Sequence, residues 1–292
     1  MRIRVWSWCV LLFSCLFISN GSIAESSVWK VTKDGKYFYV GGTVHLLSPN
    51  DHPLPSEYAE AYADSDVLVF ETDINEASSL AFQQKSIAAM TYSDGRTLNS
   101  VLDDNTYKKL SDYLTSRGIP INNFSKFEPW GVSLVITVIE YQRLGMSPAF
   151  GVEEYFNKLA AKDNKQILSL ETTDQQLSFL ESMGDIEPNL MVNYTLRDLD
   201  ELPKFVNVLK TSWREGDIEK FTTNSSIVKL RKEFPDLYDT IVVNRNNNWM
   251  SILAELTNNT EKEFVLVGTL HLNGKEGVLN QLKARGFSIE QL

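Results

Sequence analysis

Apolar residues run along the chain in short blocks whose spacing predicts its elements. Val28 to Val31 and Tyr37 to Val40 read as two short strands, and Asp34-Gly35 between them is a hairpin turn signal. The second strand runs into Gly41-Gly42-Thr43-Val44-His45. A loop with Pro49, Pro53 and Pro55 follows. Ser56 then caps a helix with Glu57 and Glu60 early in it and Ala59, Tyr62 and Ala63 behind. Val67-Leu68-Val69-Phe70 is a buried-type strand that ends in Glu71-Thr72-Asp73. Strand, helix, strand in this order predicts a parallel α/β sheet.

From about Glu76 to Glu233 the pattern turns mainly helical. Trp130 to Leu144 is apolar and β-branched, too short for a membrane span and closed by Glu140 and Arg143, so it reads as a core helix. Val152 to Ala161, Leu177 to Met183, Leu202 to Trp213 and Ile218 to Phe221 are further helical pieces. Gln166 to Leu170 is one more strand, again followed by a carboxylate, Glu171. Trp249 to Leu256 closes a helix. Phe264-Val265-Leu266-Val267 is a strand running into Gly268-Thr269-Leu270-His271. Gly274 opens a last helix, Gly286 ends it, and Phe287-Ser288-Ile289 is a final short strand. The fold class expected is α/β, with a mainly parallel central sheet built from both chain ends and a helical insertion between them.

The amino terminus stands apart. Arg2 and Arg4, the apolar run Val5 to Ile18, and Ser22-Ile23-Ala24 have the pattern of a secretion signal cleaved after Ala24. The expected organisation is therefore a leader over residues 1–24 and a single domain over 25–292, with a secreted or periplasmic location and no stable membrane span once the leader is removed. Both cysteines, Cys9 and Cys15, lie in the leader, which leaves the mature chain without disulfide or thiolate chemistry. With 43% hydrophobic and 23% charged residues in 292, the chain can bury a sizeable core. The net charge of −10 demotes nucleic acid as a partner.

The chain has three histidines, His45, His52 and His271. Two of them close the same pattern, Gly42-Thr43-Val44-His45 and Gly268-Thr269-Leu270-His271, each after an apolar strand. In open α/β sheets such strand ends build the site. If the two strands pair, the imidazoles come within about 4–7 Å, close enough to share a metal ion. A carboxylate would complete a two-His-one-carboxylate set. Glu71 is the first candidate because it too ends a strand; Glu154 and Glu171 come next. Arg245 offers an anion clamp, while His52 sits in a turn-rich loop. Gly-x-Ser-x-Gly, Gly-Lys-Ser/Thr and His-Glu-x-x-His motifs are all absent.

Taken together, Trp29-Lys30, Gly42 to His45, Leu54-Pro55, Ala63 to Asp66 and Phe70-Glu71 resemble the opening of TraB/GumN proteins. Pro129-Trp130, Gly151 to Phe156, Leu170 to Thr172 and Gln175 to Leu177 resemble the middle of that family. Trp213 to Asp217, Arg245-Asn246 with Trp249, and Gly268 through Phe287 resemble its end. The resemblance spans nearly the whole mature chain. It implies a fold related to erythromycin esterase and ChaN. It also implies, by analogy with the animal Tiki relatives, a metal-dependent protease using both Gly-x-x-His motifs and acidic residues. Gly41 doubles the usual glycine, and Glu153-Glu154 leaves open which carboxylate takes the family position.

The resulting expectation is an exported metal-dependent hydrolase, a peptidase first of all, acting on a peptide or small molecule. His45, His271 and Glu71 would hold a divalent ion (Mn, Co or Zn), with Glu71, Glu154 and Arg245 in catalysis and Glu171 and Asn246 binding substrate. Its alternatives are a haem- or metal-binding periplasmic protein without catalysis and an inactive family member. The leader pattern makes one direct prediction: the exported protein begins at Glu25. Amino-terminal sequencing of the mature protein checks this, and residues upstream of Glu25 would refute it.

Overall fold

The computed structural model describes residues 26–292; the expected leader lies outside them. Six strands form one sheet: β1 Val28–Lys33, β2 Lys36–Thr43, β3 Val67–Phe70, β4 Gln166–Ser169, β5 Glu263–Gly268 and β6 Ser288–Gln291. Their order is β4-β3-β5-β2-β1-β6. The four from β4 to β2 run parallel, while β1 is antiparallel to both β2 and β6. The expected mixed α/β architecture, its mostly parallel sheet and its helical insertion are thus observed. Asp34 and Gly35 turn the β1–β2 hairpin with φ of 51° and 79°, the left-handed backbone that a two-residue turn needs.

The strand sequences explain why the sheet sits in the middle. Every residue of β5 is buried, and its side chains alternate between two faces. Val265 and Val267 join Val31, Phe38, Val40 and Val69 on one face, covered by Trp249, Met250 and Leu253 and by Val278, Leu279 and Leu282. Phe264 and Leu266 join Val28, Leu68 and Phe70 on the other, covered by Tyr58, Phe156 and Trp213. A sheet with apolar side chains on both faces needs helices on both, which gives three layers. Gly41 fits this packing: a Cβ there would stand 2.8 Å from the Phe264 ring and 2.9 Å from Leu266, so the doubled glycine makes room for β5.

The insertion is helical, as the pattern predicts, and has its own core of Leu98, Leu110, Leu114, Val132, Ile136 and Val192 among others. Pro129–Arg143 is the expected core helix, with Trp130, Val132 and Ile136 buried. The piece expected from Leu202 belongs to a 27-residue helix, Pro188–Arg214, that carries Pro203 inside it. At its end the Trp213 indole N–H donates to the Gly42 carbonyl (2.8 Å), anchoring the insertion under β2. The last helix is Val278–Ala284, with Gly277 rather than Gly274 before its first turn. Among the described residues no helix is long and apolar enough to cross a membrane.

Candidate functional site

Four parallel strands each deliver one side chain to the same edge of the sheet. β2 and β5 pair from Tyr39↔Phe264 to Thr43↔Gly268, so the two Gly-Thr-x-His motifs do end adjacent strands, one residue out of step. The Thr269 hydroxyl donates to the Thr43 carbonyl (2.9 Å) and ties them together. β3 ends at Phe70 and presents Glu71. β4 continues through Leu170 and Glu171, whose N–H groups still bond the Phe70 and Glu71 carbonyls (3.0 and 2.9 Å). Two helices supply the rest: Val152–Asp163 carries Glu153 and Glu154, and Asn244–Leu253 carries Arg245, Asn246 and Trp249. A single π-helical turn, Asp239–Val243, precedes the second helix. Such turns are frequent at functional sites, and the Ile241 carbonyl of this one accepts from Arg245 Nη1.

Gly268 lies where these groups converge. A Cβ on it would stand 3.2 Å from Glu71 Oε1, 3.6 Å from His271 Cδ2 and 3.8 Å from His45 Nε2. Glycine keeps that space open, and both imidazoles border it.

Arg245 is buried, and all five of its N–H groups find acceptors inside the protein. Nε and Nη2 bond the two oxygens of Glu171 (3.1 and 2.6 Å). Nη2 also bonds Glu71 Oε2. Nη1 reaches the Ile241 carbonyl (3.3 Å) and His271 Nε2 (3.2 Å). Glu71 Oε1 accepts the Gly268 N–H at 2.6 Å, and the Trp249 indole N–H donates to Glu171 Oε2 at 3.1 Å. The two carboxylates are therefore internal partners of the guanidinium, which has no N–H left for a substrate anion. Asn246 is equally committed: its amide donates to the carbonyls of His271 and Glu276 (3.2 and 2.9 Å), and its oxygen faces His271 Nδ1 at 2.7 Å.

These bonds set the state of each histidine. Since Arg245 can only donate, His271 Nε2 accepts, and its proton sits on Nδ1, bonded to Asn246. Burial lowers the His271 pKa to about 4, helped by Arg245 and against the pull of Glu71. His45 has the opposite fate. Its Nδ1 is 2.6 Å from Glu153 Oε1, and its side chain is 61% exposed to the cavity. The Glu153 carboxylate outweighs the surrounding protein and pushes His45 up to about 9. Burial alone would raise Glu71, but Arg245, the neighbouring imidazoles and the Gly268 N–H outweigh it and hold the carboxyl at about 2. Burial pushes Glu171 upward, against its bonds to Arg245 and Trp249.

The cavity in front of these groups measures about 600 Å³. His45, Glu71, Arg245 and Glu153 form its charged floor, and Ile74, Pro148, Phe179, Leu180 and Ile241 supply apolar walls. Glu154 stands at its border but turns to the surface and pairs with Lys158 (2.9 Å). Consecutive helical residues point about 100° apart; Glu153 meets His45, while Glu154 lines the cavity rim. His52 lies outside the site, with Nε2 2.9 Å from the Phe150 carbonyl. Sequence reasoning missed Trp249 as a partner of Glu171. Its position one helical turn after Arg245 was the available signal.

The resemblance implies a divalent ion held by His45, His271 and Glu71. His45, His271 and Glu71 do border one space. Yet the His271 lone pair a metal would need already accepts from Arg245. Among the described residues no three His, Cys, Asp or Glu side chains are placed to hold a metal ion together. In this arrangement the residues do not fit one.

The model of the TraB/PrgY/gumN family matches residues 27–291. The chain is also similar to the uncharacterized protein YbaP of Escherichia coli (strain K12). It is 22% identical to that protein over 247 residues, covering 85% of this chain and 88% of the relative. YbaP of Shigella flexneri matches with the same identity and coverage. No solved structure matches the chain.

The two histidines make stability depend on pH in opposite directions. His271 is depressed from 6.5 to about 4, so its contribution is complete above 6.5 and is lost as pH falls to 4. That loss is on the order of 2–3 kcal/mol. His45 is raised from 6.5 to about 9, so its contribution is complete below 6.5 and is lost as pH rises to 9. Urea midpoints of the wild type and His271→Gln, measured from pH 7 to 4, should show a steeper fall in the wild type. Parallel curves would refute a buried, neutral His271.

Proposed function

The chain belongs to the TraB/PrgY/gumN family, and we propose that it is a hydrolase whose attacking water is activated by His45. The observation that carries this reading is the His45 ring itself. It is held through Nδ1 by the buried Glu153 carboxylate and keeps Nε2 on the open space over Gly268, at the floor of the cavity.

The chemistry follows from which groups are free. Glu71 is a poor base, because its carboxyl is held at about 2 and both oxygens already accept hydrogen bonds. His271 has its lone pair committed to Arg245. His45 combines exposure to the cavity with an Nε2 that can take a proton once the ring is neutral, as pH rises toward 9. When it does, the Glu153 carboxylate, 2.6 Å from Nδ1, stabilises the imidazolium by its charge. The apolar walls suit a substrate with apolar groups on either side of an amide or ester, a peptide or a small molecule of that kind. The leader pattern of residues 1–24 supports action outside the cytoplasm.

The test is a panel of chromogenic amides, esters and short peptides screened with the mature protein. On any substrate it cleaves, His45→Ala should lower kcat/KM by about 10²–10⁴-fold, the usual worth of a general base. The rate should climb with pH toward an inflection near 9, where His45 loses its proton. Glu153→Gln should move that inflection down toward the ordinary histidine value. Wild-type rates in His45→Ala would sink the assignment.

A further inference from the structure

We propose that Arg245 is the resident cation of this site, occupying with its guanidinium the position a divalent ion would take and excluding metal from the wild-type protein. Three observations converge. First, the guanidinium is saturated: five N–H groups meet acceptors on Glu71, Glu171, His271 and the Ile241 carbonyl. Second, those side chains are what a hard or borderline cation seeks, two carboxylates and a neutral imidazole. They close around a charge of the right sign that the chain supplies itself. Third, Asn246 fixes the His271 proton on Nδ1. In metal sites that arrangement aims Nε2 at the ion; here it aims Nε2 at Arg245.

The covalent anchor of this cation distinguishes it from a metal. Arg245 is fixed by the helix Asn244–Leu253 and cannot be removed by a chelator. Trp249, one turn on, braces Glu171 from the same helix. The guanidinium is also permanently charged, so it offsets one of the two buried carboxylate charges at every working pH and bonds both. Removing the cation while leaving the carboxylates would expose two adjacent buried anions beside two imidazoles. A divalent ion would meet that need.

This inference concerns occupancy of the site, and it stands or falls apart from hydrolysis because its readout is metal uptake. Cobalt(II) is the probe, since its visible absorption reports bound imidazole and carboxylate directly. Titrating chelator-treated wild type with CoCl₂, followed by equilibrium dialysis, should show no stoichiometric uptake. Arg245→Met should take up one equivalent, with a visible band lost in the Arg245→Met/His271→Ala double variant. Arg245→Lys, which restores a positive charge, should again exclude the ion. Circular dichroism identifies which variants are folded. Should Arg245→Met not fold, the wild type and Arg245→Lys still decide. One equivalent of cobalt in the wild type, removed by His271→Ala, would overturn the proposal, and so would a folded Arg245→Met that takes up none.

Discussion

The parallel pairing of β2 with β5 is the constraint on which the rest of the molecule depends. It joins residues more than two hundred positions apart, Tyr39 to Thr43 with Phe264 to Gly268. Once these strands lie side by side, β3 takes the free edge of β5, and β4 takes the free edge of β3. The intervening chain must cross over the sheet and does so as helices, because a buried parallel sheet leaves only its faces for connections. All four parallel strands then end on one side. Beyond the strand ends the covering helices leave a cavity, so polar residues can follow the last buried apolar one. That is why His45, Glu71, Glu171 and His271 meet although they are scattered through the sequence.

The fold was legible because its signals are local. Continuous apolar runs such as Val67 to Phe70 and Phe264 to Val267 mark strands buried on both faces. The Asp34-Gly35 turn marks the β1–β2 hairpin. The repeated Gly-Thr-x-His pattern also points to paired strand ends, since two copies beside two strands need a common edge. What could not be read is set by side-chain direction. Glu153 and Glu154 are neighbours of one chemistry, and only the rotation of the helix Val152–Asp163 decides that the first meets His45 and the second meets Lys158. Arg245 is harder still. A basic residue in Asn244-Arg245-Asn246 reads as a clamp for an incoming anion, because sequence does not disclose that two buried carboxylates and a histidine await it. The start of the last helix is displaced for a related reason: Gly274, at φ 89°, serves a turn, and Gly277 opens the helix.

Burying Glu71, Glu171 and Arg245 together is costly in itself, since each charge leaves water. The geometry offsets that cost by completeness. The carboxylates bind one guanidinium and draw additional N–H donors from Gly268 and Trp249, so each charge is met by opposite charge and by hydrogen bonds. A half-satisfied version of the same cluster would destabilise the sheet edge, because an unpaired buried charge costs more than the pair returns. The cluster is thus held as a unit. It also sets the electrostatic background against which any chemistry in the cavity takes place.

The two histidines show what that background does. They close the same tetrapeptide pattern at the ends of adjacent strands, and by sequence they are interchangeable. The one-residue stagger between β2 and β5 separates them. His271 turns into the protein, where Arg245 donates to one nitrogen and Asn246 accepts from the other, and burial keeps the ring neutral. His45 turns toward the cavity, where Glu153 favours the protonated ring. A neutral, doubly bonded imidazole can brace its neighbours but has nothing left to exchange with a substrate. A ring that faces the cavity with a carboxylate behind it can cycle between its two states. The duplicated motif therefore yields one histidine bonded at both nitrogens and one that faces the cavity beside a carboxylate, and the partners each strand end meets, rather than the motif, tell them apart.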